Sequence, residues 1–146
     1  MTNKIVEQSD SLIGLLTAQC ADLEKLLVLA REETSATEQG NFNRIFEIVS
    51  ERAVIGERLE TFQKQIIGLR EFLGANEFLQ VGNKTIKRIE EIASSVLHQD
   101  CHTKLLLHAE CDKINTELKA ANTALYGTSS YLRDTTTKGL AYNESF

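Results

Sequence analysis

The sequence predicts an all-α fold: an elongated antiparallel three-helix bundle, made of a long helical hairpin plus a longer third helix, with coiled-coil-like packing. Three observations carry this. The 146 residues contain no proline, the residue that most often breaks the i to i−4 hydrogen-bond ladder. Apolar residues recur every three or four positions along most of the chain, which is the helical period. Glycine-bearing stretches break the helical pattern at two places, "QGN" (39–41) and "GANEFLQVGN" (74–83), the second with room for a turn of helix inside it. No alternating run of β-branched residues marks a strand.

The first helix is expected over residues 5–38. Its apolar positions are Ile5, Leu12, Leu16, Leu23, Leu26, Leu27 and Ala30, and Gly40 just beyond its end suits a helix terminator. The second helix is expected over 42–73. It carries Phe42, Ile45, Phe46 and Val49, then Leu59, Phe62, Ile66, Leu69 and Leu73, spaced 3, 4, 3, 4 as in helices packed nearly parallel. The third is expected over 84–133. Ile86, Ile89, Ala93, Val96 and Leu97 open it, and Leu107, Cys111, Ile114, Leu118, Ala121 and Leu125 continue it in unbroken steps of 4, 3, 4, 3, 4. Across the second turn, Phe62, Ile66, Leu69 and Leu73 should meet Ile86, Ile89, Ala93 and Val96.

The unequal lengths are the most informative feature. A third helix of roughly 50 residues is about 75 Å long, against about 48 Å for each of the first two. It should run out of partner near Asn115, yet its stripe continues through Leu118, Ala121, Leu125 and Leu132. An apolar stripe without an internal partner must meet another molecule or stay frayed until it does. The alternative is a third helix that bends or folds back on itself, or a chain that dimerises through it. Beyond Leu125 the chain turns rich in Gly, Ser and Thr, and residues 134–146 are expected to form a flexible tail. The stretch beyond Leu125 keeps spaced anchors, Tyr131, Leu132 and Tyr142 among them, which suit folding on a partner, the alternative being an ordinary frayed C-terminus. The candidate partner-binding set is therefore Leu118, Ala121, Asn122, Leu125, Tyr131, Leu132 and Tyr142.

Composition narrows the function classes. A formal net charge of −5 argues against nucleic acid as the main partner, because phosphate binding needs a basic face. No run of about 18 apolar residues exists to span a membrane. The N-terminal stretch holds Glu7 and Asp10 where a signal peptide needs an apolar core, so a mature cytoplasmic protein is expected. Three cysteines without a spacing framework fit reduced thiols.

One stretch looks like chemistry. "HQDCHTKLLLHAEC" (98–111) holds all three histidines and two of the three cysteines. On a helix, His98, Cys101 and His102 share one turn, while His108, Cys111 and Asp112 lie about 10–15 Å further along. A zinc ion bonds its ligands at about 2.0–2.3 Å, so it cannot be reached by both groups, and nothing between them folds the strip back. The expected reading is the side of a helix, with Cys111 packed in the stripe as a small hydrophobe. Asp100 and Lys104 interrupt the seam and are expected to pair at i, i+4, setting register or marking a bend. No metal, cofactor or catalytic residue is assigned. A Cys–His pair on a helix flank lacks oxyanion donors, and no phosphate loop or H-E-x-x-H occurs.

Within Ala30–Phe62, Glu32, Glu33 and Ala36 precede a Gly40-Asn41 turn. Phe42, Ile45, Ile48, Arg52, Arg58 and Leu59 then space out a helix with a basic and acidic face. Further on come Leu118, Asn122, Leu125, Leu132 and Tyr142. In these features, spread over about Leu12 to Tyr142, the chain resembles the FlgN-like flagellar export chaperones. The resemblance implies a cytoplasmic protein that binds the C-terminal helical segments of flagellar hook-associated proteins, those of the hook–filament junction. It would prevent their premature assembly and deliver them to the type III export gate, using neither nucleotide nor metal. The chain ends "YNESF", without the glycine that often follows the family's terminal Tyr-Asp, which leaves a docking role for Tyr142 open. The alternatives are a helical adaptor or scaffold that forms a homodimer through the same stripe, and a metal or thiol-redox protein using residues 98–111.

Overall fold

The computed structural model describes residues 2–132, and side chains from residue 3 to residue 126. The fold is all-α, with three helices and no strand among the described residues: α1 (Thr2–Glu38), α2 (Phe42–Leu73) and α3 (Ala75–Leu132). The chain divides into two compact units, residues 1–106 and the residues from Leu107 onward. The tail expected over 134–146 lies outside the described residues.

The first turn forms as anticipated. Gly40 takes φ +67°, a left-handed conformation that costs little without a Cβ. Asn41 then caps α2, its side chain accepting a hydrogen bond from the Arg44 amide at 3.2 Å. The second break is shorter than expected. Gly74 alone interrupts the chain at φ +83°, donating its N–H to the Arg70 carbonyl at 2.9 Å. α3 restarts at once, with the Phe78 N–H returning to the Gly74 carbonyl at 3.0 Å. The Arg70 guanidinium lies 5.7 Å from the centre of the Phe78 ring, tying the last turn of α2 to the first of α3.

The expected start of α3 at residue 84 is therefore corrected to Ala75. The glycine that suggested a longer break, Gly82, is buried inside the helix. A Cβ built there would sit 2.8 Å from Leu16 Cδ1 and 3.1 Å from Ile86 Cδ1. Gly82 marks a close approach of α1 and α3, and its helical neighbours hold it in a conformation it does not itself prefer.

Within residues 1–106 the chain directions follow from the contacts. Asp22 meets Arg58 and Glu32 meets Arg44, one number rising as the other falls, so α1 and α2 are antiparallel. Leu16 meets Gly82, Glu24 meets Arg88 and Thr34 meets Thr103, so α3 runs parallel to α1 and antiparallel to α2. At one end, Leu12, Leu16 and Ile66 form a buried cluster. Phe62, Leu69, Leu73, Ile86 and Ile89 pack against it, as the second-turn pairing anticipated. Ala93 is half-buried and Val96 buried, while Leu97 points outward. Towards the other end, Leu29, Ile48 and Ile55 form a second cluster. Each large side chain buried this way contributes about 1.5–3 kcal/mol.

The seam is polar where the sequence hinted at an interruption, but the partners differ. Asp100 does not pair with Lys104. Its two carboxylate oxygens accept from Arg52 at 2.8 and 2.7 Å, and Arg52 also donates to Glu33 at 2.6 Å. A two-pronged guanidinium contact, with the Arg52 and Glu33 side chains only 20% and 14% exposed, outweighs a solvent-exposed i, i+4 pair. Hydrogen bonding to Asp100 raises the Arg52 pKa further above its ordinary value, against the cost of burial. Beside this triad the Thr34 and Thr103 hydroxyls share a hydrogen bond at 2.6 Å, and the Gln99 amide donates to Thr34 Oγ1 at 2.6 Å. Both threonines are buried.

Two expectations follow, both readable as thermal or denaturant unfolding. Gly68 and Gly82 are both helical, but a Cβ at Gly68 meets nothing within 4 Å. Gly68→Ala should therefore stabilise by roughly 0.5–1 kcal/mol, whereas Gly82→Leu should destabilise by about 1–3 kcal/mol through overpacking against Leu16. Equal effects of the two would remove the close-approach account. Thr103→Val should cost about 0.5–1.5 kcal/mol, the net worth of one hydrogen bond, because the buried Thr34 hydroxyl loses the Thr103 contact but keeps those to Ala30 and Gln99. Arg52→Ala should cost roughly 1–3 kcal/mol, between the values for exposed and fully buried pairs. A neutral outcome for both would mean that the polar layer does not hold the seam.

Candidate functional site

The stripe that the sequence singled out lies in the unit that begins at Leu107. Helical geometry places Leu107, Cys111, Ile114, Leu118, Ala121 and Leu125 along one face, since steps of 4 and 3 keep returning near the same direction. All six are exposed, Leu118 to 53% and Leu125 to 63%. Asn122, beside them, is half-buried. Tyr131 and Leu132 fall in the last turn of α3, and Tyr142 lies outside the described residues. The structure thus brings Leu118, Ala121, Asn122 and Leu125 together on one helix.

The stripe begins earlier than the sequence suggested, and the reason is geometric. Buried and half-buried side chains recur along α3 through Leu106, and Leu107 to Ala121 are all exposed. The expected end of internal cover was Asn115. A helix that starts at residue 75 instead of 84 starts nine residues sooner (84 − 75 = 9), and its cover ends nine residues sooner, at 106. For the same reason Cys111 is exposed and not packed as expected.

The histidine–cysteine strip has a plain geometry. His98, Cys101, His102, His108 and Cys111 are all exposed, and no three His, Cys, Asp or Glu side chains converge as metal ligands among the described residues. Cys20 alone is partly covered. Burial pushes its thiol pKa upward, with Glu24 adding to the effect and Arg88 opposing it, which disfavours the nucleophilic thiolate there.

A second apolar surface was missed. Helix α2 has two apolar stripes. Ile48, Ile55 and Ile66 are its buried residues, while Phe42, Phe46 and Val49 face outward, Phe46 to 70%. Both stripes have helical spacing, so periodicity alone does not tell the buried one from the exposed one. On another side of α2 an open groove of about 680 Å³ runs between α1 and α2, with Val28, Leu29, Val54 and Ile55 in its lining and Glu24, Lys25, Glu51 and Arg58 beside them. Arg58 is held there by Asp22, which accepts two hydrogen bonds of 3.0 Å from its guanidinium.

Comparison with protein-family models, with curated proteins and with solved structures finds no match. Among the described residues no helix is long and apolar enough to cross a membrane.

Replacing His98, Cys101, His102 and His108 together by alanine should leave the fold almost untouched. Each exposed change is expected to shift stability by less than about 0.5 kcal/mol. Unfolding measured with and without chelator, together with zinc content after purification, checks this. A cooperative loss of stability, or stoichiometric zinc that the quadruple change releases, would establish a metal site.

Proposed function

We propose that this protein is a cytoplasmic export chaperone that captures a client helix on the exposed stripe of α3. The observation that carries the reading is the uninterrupted six-position seam from Leu107 to Leu125, solvent-exposed throughout. Soluble proteins rarely leave such a face open without a partner for it, and an amphipathic helix laid along it is the complementary shape. The resemblance of Ala30–Phe62 and of the Leu118–Tyr142 pattern to FlgN-like chaperones supplies the client class. These are the C-terminal helical segments of flagellar hook-associated proteins, shielded from premature assembly and passed to the type III export gate. Leu118, Ala121, Asn122 and Leu125 form the centre of the surface, and the sequence pattern adds Tyr131, Leu132 and Tyr142 to the candidate partner-binding set. Capture of this kind needs no catalytic residue, nucleotide or metal.

A second reading, a scaffold that self-associates not through the α3 stripe, as the sequence alone suggests, but through α2, draws on the outward-facing Phe42, Phe46 and Val49. It uses a different surface, so the two readings separate by mutation.

Leu118→Glu and Leu125→Glu should each abolish binding of a hook-associated C-terminal segment while shifting the stability of the free protein by less than about 0.5 kcal/mol, as for exposed positions. Calorimetry or anisotropy reports the first quantity and denaturant unfolding the second. Hydrogen exchange should show protection over residues 107–125 only when the segment is present. If both variants unfold the free protein, the stripe is internal core and the capture reading fails. Loss of a dimer on Phe46→Glu, with no client bound by the parent protein, would favour the scaffold.

A further inference from the structure

The two edges of the stripe differ in charge, and that difference selects a partner. Positions preceding Cys111, Leu118 and Leu125 form one edge: Glu110, Glu117 and Ala124. Positions following Leu107, Ile114 and Ala121 form the other: His108, Asn115 and Asn122. Glu110 and Glu117 are exposed, and neither pairs with a cation among the described residues. They stand seven residues apart, about 10.5 Å along the helix. Lys113 lies further round from the seam on their side, and Asp112 and Lys119 lie beyond the amide edge.

In a heptad-packed pair, edge positions face each other across the seam and set the choice of partner. A helix on this stripe presents one edge to Glu110 and Glu117 whichever way it runs. A second copy of the same segment is a poor fit, because neither of its edges carries a lysine or arginine. Two antiparallel copies would set the glutamate edges against each other, and like charges so placed disfavour pairing. We propose that the occupant of the 107–125 stripe is an amphipathic helix whose apolar seam is bordered, on the side facing Glu110 and Glu117, by basic residues at seven-residue spacing. The proposal rests on the capture reading above and adds the charge rule by which the client is chosen.

Two synthetic peptides test it, sharing one leucine heptad seam and differing only in their edge positions, all lysine in one and all glutamate in the other. Affinity for the full chain is read by fluorescence anisotropy in moderate salt. The lysine-edged peptide should bind roughly tenfold more tightly, the effect expected of two rim ion pairs, and high salt should shrink the difference. Glu110→Lys with Glu117→Lys should reverse the preference. That double change raises the formal net charge by four, from −5 to −1, so simple attraction to an acidic protein would still favour lysine and only local contact predicts reversal. Leu118→Glu should weaken both peptides. Equal affinities for the parent protein, or a double variant that keeps the lysine preference, overturn the charge rule and leave helix capture standing. Binding of neither peptide overturns both. A dimer that Leu118→Glu converts to monomer would mean that a second copy occupies the stripe, and overturns the proposal as well.

Discussion

Arg52 of α2 holds Glu33 of α1 and Asp100 of α3 at one level of the seam, and the register of residues 1–106 depends on that contact. An apolar heptad seam by itself accepts a slip of seven residues, because Leu, Ile and Val interchange with little loss. A guanidinium fork does not. Moving α3 by one residue shifts it by about 1.5 Å and turns it by about 100°. The Asp100 bonds and the adjoining Thr34–Thr103 hydroxyl bond would then be lost together. Polar groups so placed act on specificity more than on net stability. With the register set, Gly82 falls opposite Leu16, the one described glycine position where the helices leave no room for a Cβ.

That register also decides where the buried face of α3 ends. The same helix carries one seam through two environments. Up to Leu106 it is interrupted by Gln99, Asp100 and Thr103, which are satisfied by α1 and α2. From Leu107 it is apolar without interruption and exposed. The polar residues thus sit where α1 and α2 are fixed against α3, and the permissive leucine-type positions sit on the exposed part of the helix. A helix with an unburied apolar face has low local stability, which under the proposed capture of a client helix is where docking would gain most.

How much of this was legible from residues alone varies by element. Gly40 and Asn41 announced the first turn, because a left-handed glycine followed by a capping asparagine is a local device. The hairpin of α1 and α2 and the pairing around Phe62, Leu69, Ile86 and Ile89 followed from period and chain direction. Gly82 misled, because a buried helical glycine and a helix breaker look alike until the neighbouring helix is in place. Asp100 misled differently. Its sequence neighbour Lys104 was available to pair, but Arg52, distant in sequence, offered two hydrogen bonds in a partly buried site.

What the sequence determined by itself was local and periodic: three helices, their direction, the glycine at the first turn, and the unbroken seam through Leu118 and Leu125. These depend on backbone propensity and on spacing, which neighbouring residues set. What only the tertiary structure decided was which of two equally periodic faces of α2 is buried, where the cover of α3 stops, and that Cys111 stands in solvent. Those outcomes depend on the axial register of one helix against another. That register comes from side chains far apart in the chain, Arg52 with Asp100 and Leu16 with Gly82, whose pairing no local pattern encodes.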